Sequence, residues 1–297
     1  MPPSWLSGSS LWLHLATVVL LAVGLVVTLR MKTPRPHGVE RMIPFGRMLY
    51  AVPLGLFGLQ HFVFLNEVKG GVPSYMPWHI FWACLVGVAL IAACLSILTG
   101  IKADLAALLM GIMLFLFVLM IYAPNLAANL HDRFAISGPF RDLAMSGGAL
   151  ALAGTLGATG HKQWNGWLVK VGRCFFAASM LCFGVDHFLH PDFAPGVPTD
   201  IPMPAWIPSH LVLAYAMGAV LVVCGGCILL NKGARIAAAW LGVAFLLLLL
   251  FIYLPMEIVH PSVAISGELD QIAEKLAMSG AALLVAGAMP AKKVQAT

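Results

Sequence analysis

Three histidines return later in the chain in the company of the same neighbours. Phe57-Gly58-Leu59-Gln60-His61-Phe62 recurs as Phe183-Gly184-Val185-Asp186-His187-Phe188. His79 follows Pro73-Ser74-Tyr75-Met76-Pro77-Trp78, and His210 follows Pro204-Ala205-Trp206-Ile207-Pro208-Ser209. His131 and His260 each open a stretch that ends Ala-Ile-Ser-Gly, at Ala135–Gly138 and Ala264–Gly267. Imidazole titrates near neutral pH, ligates metals, and binds hydroxyls or carbonyls. Placed in apolar sequence, such a group marks a candidate site.

His61 and His187 each lie 14 residues beyond a Gly-Arg pair, Gly46-Arg47 and Gly172-Arg173. On a helix that spacing is roughly 21 Å, which sets both imidazoles in the outer third of a bilayer core about 30 Å thick. Gln60 and Asp186 precede them, and a carboxylate there could fix a tautomer. Two readings stay open: a ligand or proton-relay site, or a hydrogen bond to a neighbouring carbonyl that locks a bundle. His79 and His210 are expected in first helical turns after Pro-rich loops, where the helix dipole favours neutral imidazole; interfacial capping and ligand binding both fit. His131 and His260 follow Tyr122-Ala123-Pro124 and Tyr253-Leu254-Pro255, with Asp132 and Glu257 nearby, a weaker candidate set for a metal ion. The sequence holds no His-x-x-x-His, haem-attachment, phosphate-loop or Gly-x-Ser-x-Gly motif, so nucleotide and serine-hydrolase chemistry have no support. Cys224-Gly225-Gly226-Cys227 has redox-pair spacing, but small residues at this spacing also serve helix packing.

The elements that must carry these residues are membrane helices. Of 297 residues, 61% are hydrophobic and 10% charged, with mean hydropathy +0.93, against about 25% charged in soluble domains. Nine apolar stretches are predicted as spans, near 11–29, 48–66, 79–99, 104–123, 142–159, 174–190, 210–230, 234–254 and 274–290. The first lacks a basic leader and reads as a retained helix. With the N-terminus outside and the C-terminus inside, only Lys69, Arg133, Arg141 and Lys275 of the 17 basic residues fall on the outer side, as the positive-inside rule requires. The net charge of +5 then reflects an inner face toward anionic lipid and not nucleic acid. Leu143-Ala144-Met145-Ser146-Gly147 recurs as Leu276-Ala277-Met278-Ser279-Gly280. Four stretches per copy make the repeat parallel. The expected organisation is all-α: residues 1–44 as an N-terminal helix and basic loop, 45–160 as one four-helix repeat, and 161–297 as a second. Arg141-Asp142 and Glu274-Lys275 read as interfacial anchors at matching positions.

Each copy resembles the DoxX-like family of four-helix membrane proteins. The resemblance rests on the Gly-Arg pair, the Phe-Gly-x-x-His-Phe motif, the Pro/Trp loop and the Tyr-x-Pro that closes the third helix. It implies a bacterial inner-membrane location and a quinone-linked redox subunit. In that reading His61 and His187 contact quinone carbonyls, with Gln60, Asp186, His79 and His210 in support. A scaffold or assembly factor with structural histidines is the alternative. A small-solute or metal transporter and a haem protein are the lesser ones. The partners implied are the lipid bilayer, a quinone, and a redox or assembly protein.

Overall fold

The computed structural model describes residues 8–30, 37–128, 133–198, 201–207, 209–259 and 268–291. Among them the chain is all-α. Helix α1 spans Gly8–Arg30, and a 3-10 turn Gly38–Phe45 leads into α2 Gly46–Val63. The short α3 Leu65–Val68 precedes α4 His79–Thr99 and α5 Ala103–Phe117. A π-helical turn Val118–Tyr122 continues α5 into α6 Ala123–Ala128, followed by α7 Arg133–Leu156 and α8 Lys162–Leu189. Then come α9 His210–Leu229, α10 Ala234–Leu248, a second π turn Leu249–Tyr253, α11 Leu254–Val259 and α12 Glu268–Ala288.

Among the described residues seven segments are long and apolar enough to cross a membrane: Leu11–Arg30, Gly38–Val63, His79–Thr99, Ala103–Tyr122, Lys162–Leu189, His210–Leu229 and Ala234–Val259. Their outward faces carry exposed Leu, Val, Phe and Trp, for example Val18, Leu85, Val88, Leu109, Val212 and Val223. A surface of that kind needs lipid to cover it, and the pattern is that of a multi-pass integral membrane protein. The two remaining expected stretches, 142–159 and 274–290, are helical, within α7 and α12, but do not join the seven. The reason is where they lie. Ala144–Ala153 of α7 and Ala273–Ala286 of α12 are buried throughout, so these helices are enclosed by protein, as α2 is over Met48–Leu56, whereas α4, α5 and α9 expose apolar faces. Small residues replace Leu and Val there, and the charged Arg141, Asp142, Glu274 and Lys275 find partners inside the bundle.

Glycine sets the way α7 and α12 are held. A Cβ on Gly147 of α7 would strike the backbone of α8 at Phe176 N, 2.8 Å away, and Gly172 O. A Cβ on Gly280 of α12 would strike the backbone of α2 at Leu49 and Tyr50. The two helices meet each other where Gly148 would place a Cβ 2.7 Å from Ala281 Cα. Ser146 Oγ donates to Gly111 O at 2.7 Å and Ser279 Oγ to Gly242 O at 2.8 Å, tying α7 to α5 and α12 to α10. Bare backbones let helices approach closely in lipid, where packing and interhelical hydrogen bonds, not the hydrophobic effect, hold them together.

At the basic end, Arg235 caps the C-terminus of α12. Its guanidinium donates to Ala286 O (3.1 Å) and Met289 O (2.9 Å) and pairs with Glu40 at 2.8 Å. A cation over a row of unpaired helix carbonyls is the favourable arrangement at this terminus. Helix α1 lies along α2, and at the other end His14 Nε2 sits 2.8 Å from Glu257 Oε1. That contact was not legible in the sequence, where Glu257 reads as a companion of His260.

Candidate functional site

Each Phe-Gly-x-x-His-Phe motif builds the same local device. Gly58 lets α4 come close: a Cβ there would lie 2.8 Å from Gly87 O, and one on Gly87 2.8 Å from His61 Cβ. Gly184 and Gly218 do the same for α8 and α9, with 3.0 Å to Gly218 O and 3.0 Å to His187 Cβ. Each imidazole is thereby pinned at a helix crossing and turned onto its own helix. His61 Nδ1 lies 2.8 Å from Phe57 O, and His187 Nδ1 lies 2.6 Å from Phe183 O. A carbonyl can only accept, so in neutral imidazole Nδ1 carries the proton and Nε2 is an acceptor.

Beyond the rings the two sites differ. His187 is buried and its Nε2 accepts the Gly196 N–H at 2.8 Å. Gly196 belongs to the segment between α8 and α9, which folds inward: Ala194–Pro198, Met203 and Ile207 are all buried. Ala194 N donates to Ile201 O and Met203 N to Asp192 O, and Tyr253 OH donates to Pro195 O at 2.8 Å. One peptide group, Pro195–Gly196, is thus held from both sides, its C=O by Tyr253 and its N–H by His187. In the first half no residue of 64–78 is buried. A cavity of ≈ 720 Å3 lies there instead, walled by α2, α4, α5, α7, α12 and the 67–76 segment. Leu85, Leu116 and Met120 belong both to its wall and to the exposed apolar surface, so it opens sideways between α4 and α5.

The cavity wall holds Gln60 and His61, and also Trp82, Tyr122, Arg141, Asp142 and Glu274. Three buried polar atoms among the described residues have no hydrogen-bond partner: Gln60 Nε2, Trp82 Nε1 and Glu274 Oε1. All three residues line this one cavity. Buried polar atoms are rarely left unpaired, and each one asks for an explanation. The second half has Asp186 and Leu213 where the first has Gln60 and Trp82.

An ionic chain crosses from this cavity to the second half. Arg141 donates through Nη2 to Tyr122 OH (3.1 Å), through Nε to Asp142 (3.4 Å), and lies 3.9 Å from Glu274 Oε2. Lys275, wholly buried, sits 3.7 Å from Glu274 Oε1, donates to Gln271 Oε1 at 3.0 Å and hangs 4.5 Å over the Tyr253 ring. The two charge pairs expected as interfacial anchors are therefore joined to each other, α7 to α12. Their signal in the sequence was that both charge pairs abut the repeated Leu-Ala-Met-Ser-Gly. The π turns deliver the two tyrosines: each ends in Tyr before x-Pro, and such turns gather at functional sites. Pro124 lacks the N–H that would bond Met120 O in a regular helix, and the Tyr75 hydroxyl takes that carbonyl at 2.8 Å.

No family model, curated protein or solved structure matches this chain. Its own geometry is what distinguishes the sequence-derived candidates. Gln60 and His61 share the cavity, whereas His187, Asp186, His79 and His210 do not line it. His79 and His210 open α4 and α9 as expected, each after a residue with positive φ, Trp78 (58°) and Ser209 (57°). His131 and His260 lie outside the described residues. Among the described residues no group of three His, Cys, Asp or Glu side chains is placed to hold a metal ion. The thiols of Cys224 and Cys227 are free.

Proposed function

We propose that this protein is a DoxX-like, quinone-binding subunit of the bacterial inner membrane, built as two parallel four-helix units, 45–160 and 161–297, behind an N-terminal helix in 1–44. In this reading α7 and α12 complete nine membrane-embedded helices, with the N-terminus outside and the C-terminus in the cytoplasm. The recurrence of the His–carbonyl, Ser–carbonyl and glycine contacts in both halves supports the duplication. The basic loops at the end where Arg235 caps α12 support the orientation.

The observation that carries the ligand is that Gln60 and Trp82, each with a buried donor that has no partner, stand in the wall of one largely apolar cavity that opens toward lipid. A quinone is a flat apolar ring with oxygen acceptors at its edge, and it reaches its site through the bilayer. Apolar walls with a few convergent polar groups are what such a ligand needs. A quinone would supply two-electron, two-proton redox chemistry; the chain supplies the rest. Gln60 and Trp82 hold an oxygen, His61 faces the ring edge with a free Nε2, and the Arg141–Glu274 chain fixes the polar end. The second half, filled by its own 191–207 segment, takes no ligand and serves as structure.

The test is the quinone content of the purified protein, read by solvent extraction and mass spectrometry, against a Gln60→Leu, Trp82→Phe double variant. Near-stoichiometric quinone in the parent, lost in a still-folded variant, is the expected result. Quinone no higher than in the accompanying lipid would overturn the reading.

A further inference from the structure

We infer that the cavity selects the reduced, hydroxyl-bearing quinol over the quinone, with His61 Nε2 as the group that tells them apart. The inference rests on the quinone reading of this cavity. His61 is committed to donating through Nδ1 to Phe57 O, so its Nε2 offers a lone pair and no proton. It makes no hydrogen bond among the described residues. The second half demonstrates what that nitrogen does: His187, with the same Nδ1 bond, takes an N–H donor at Nε2. There the Pro195–Gly196 peptide presents a donor to the histidine and an acceptor to Tyr253. The first half therefore wants from its ligand what the second half receives from its own chain, a donor and an acceptor together.

The unpaired atoms decide between the two forms. Gln60 and Trp82 bring donors without a partner, Gln60 Nε2 and Trp82 Nε1, while His61 brings the acceptor Nε2 left by its Nδ1 bond to Phe57 O. Quinone oxygens only accept. They satisfy the donors and turn lone pairs toward His61. Quinol hydroxyls accept and donate, so they serve both kinds of atom. Facing acceptor against acceptor forfeits a hydrogen bond, which is worth about tenfold in affinity.

The experiment titrates the full-length protein anaerobically with one short-chain quinol and, separately, with its quinone, following Trp fluorescence. The expected result is quinol affinity at least about tenfold higher. His61→Phe should abolish the preference, so that quinol and quinone bind the variant with the same affinity. His61→Gln, which can offer an oxygen acceptor, should restore part of the preference. Failure of both forms to bind sinks the quinone reading itself. Binding of both with equal affinity, or quinone the tighter, overturns this inference and leaves that reading standing. A preference that survives His61→Phe in a folded variant removes His61 from the role. Should that variant not fold, the parent's affinity ratio still decides.

Discussion

The two His-bearing ends of this molecule begin alike and finish differently. Each imidazole is pinned by a pair of glycines and bonded to its own helix four residues back. In the second half the chain itself answers the remaining nitrogen, and the space beyond is filled by Ala194, Val197, Met203 and Ile207. In the first half the corresponding space is a cavity edged by unpaired donors and acceptors. A plain structural role for the motif would leave both ends satisfied, as His187 is. In the proposed reading the unsatisfied copy is the one that bears function, because buried groups left unpaired cost stability that a ligand can return.

Five substitutions would break or sharpen this contrast. The largest effect is expected where the halves are alike. Gly280→Val and Gly147→Val each drive a side chain into the backbone of a neighbouring helix. Both should cost about 3 kcal/mol or more, read as loss of monodisperse protein in detergent. If only one of them is destructive, the equivalence of the two packing arrangements fails. Next is Gly196→Ala. Gly196 has φ +122°, and a Cβ would come within 3.2 Å of Leu248 and 3.3 Å of Lys275. Strain of about 1–3 kcal/mol should lower the melting temperature by unseating the inward segment. Ligand stoichiometry should nonetheless stay at one, since Asp186 and Leu213 stand where Gln60 and Trp82 stand in the first half. A rise to two would erase the distinction between the halves.

Gln60→Leu should act in the opposite sense on stability. It removes an unpartnered buried amide, so the ligand-free protein should gain about 1 kcal/mol while ligand affinity falls. A thermal-unfolding series with and without quinol reads both at once, and a destabilised, still-binding variant would show that Gln60 is structural. Smallest is Gly226→Ala. No atom lies within 4 Å of the added Cβ, so the change should stay within about 0.5 kcal/mol. It tests whether the Cys-Gly-Gly-Cys segment is packing-critical like Gly147, and no effect on unfolding places it on the open surface.

The helices were legible in the sequence because lipid-facing segments carry their own signal. His79–Thr99 and His210–Leu229 begin and end within a residue of expectation. So were the paired histidines, since the motif places each at a helix crossing through glycine spacing alone. The fate of the two Pro-rich segments was not legible. Both read as outer loops, but fifteen residues separate Val63 from His79 and twenty separate Leu189 from His210. The longer one can turn back into the bundle, and Ala194, Val197, Ile201, Met203 and Ile207 give it apolar side chains to bury. Length and apolar content together were the available signal. The link between the charged pairs at Arg141 and Glu274 was not legible because hydropathy does not say which helices lie side by side. Trp82 was unmarked for a simpler reason: nothing in Phe81-Trp82-Ala83 tells an indole facing lipid from one facing a cavity.

The glycine contacts of α12 have a consequence for how the chain is made. The face of α2 at Leu49 and Tyr50 is covered by Gly280, a residue translated long after them. At synthesis rates of about 5–20 residues per second, α2 enters the membrane roughly tens of seconds before the helix that covers it exists. During that interval the first half of the nascent protein has an exposed slot facing lipid and an Arg141 without Glu274. α12, made after every helix it packs against, is therefore the one that closes the first half's structure, and a message truncated before it would yield a membrane-inserted chain with no finished half at all.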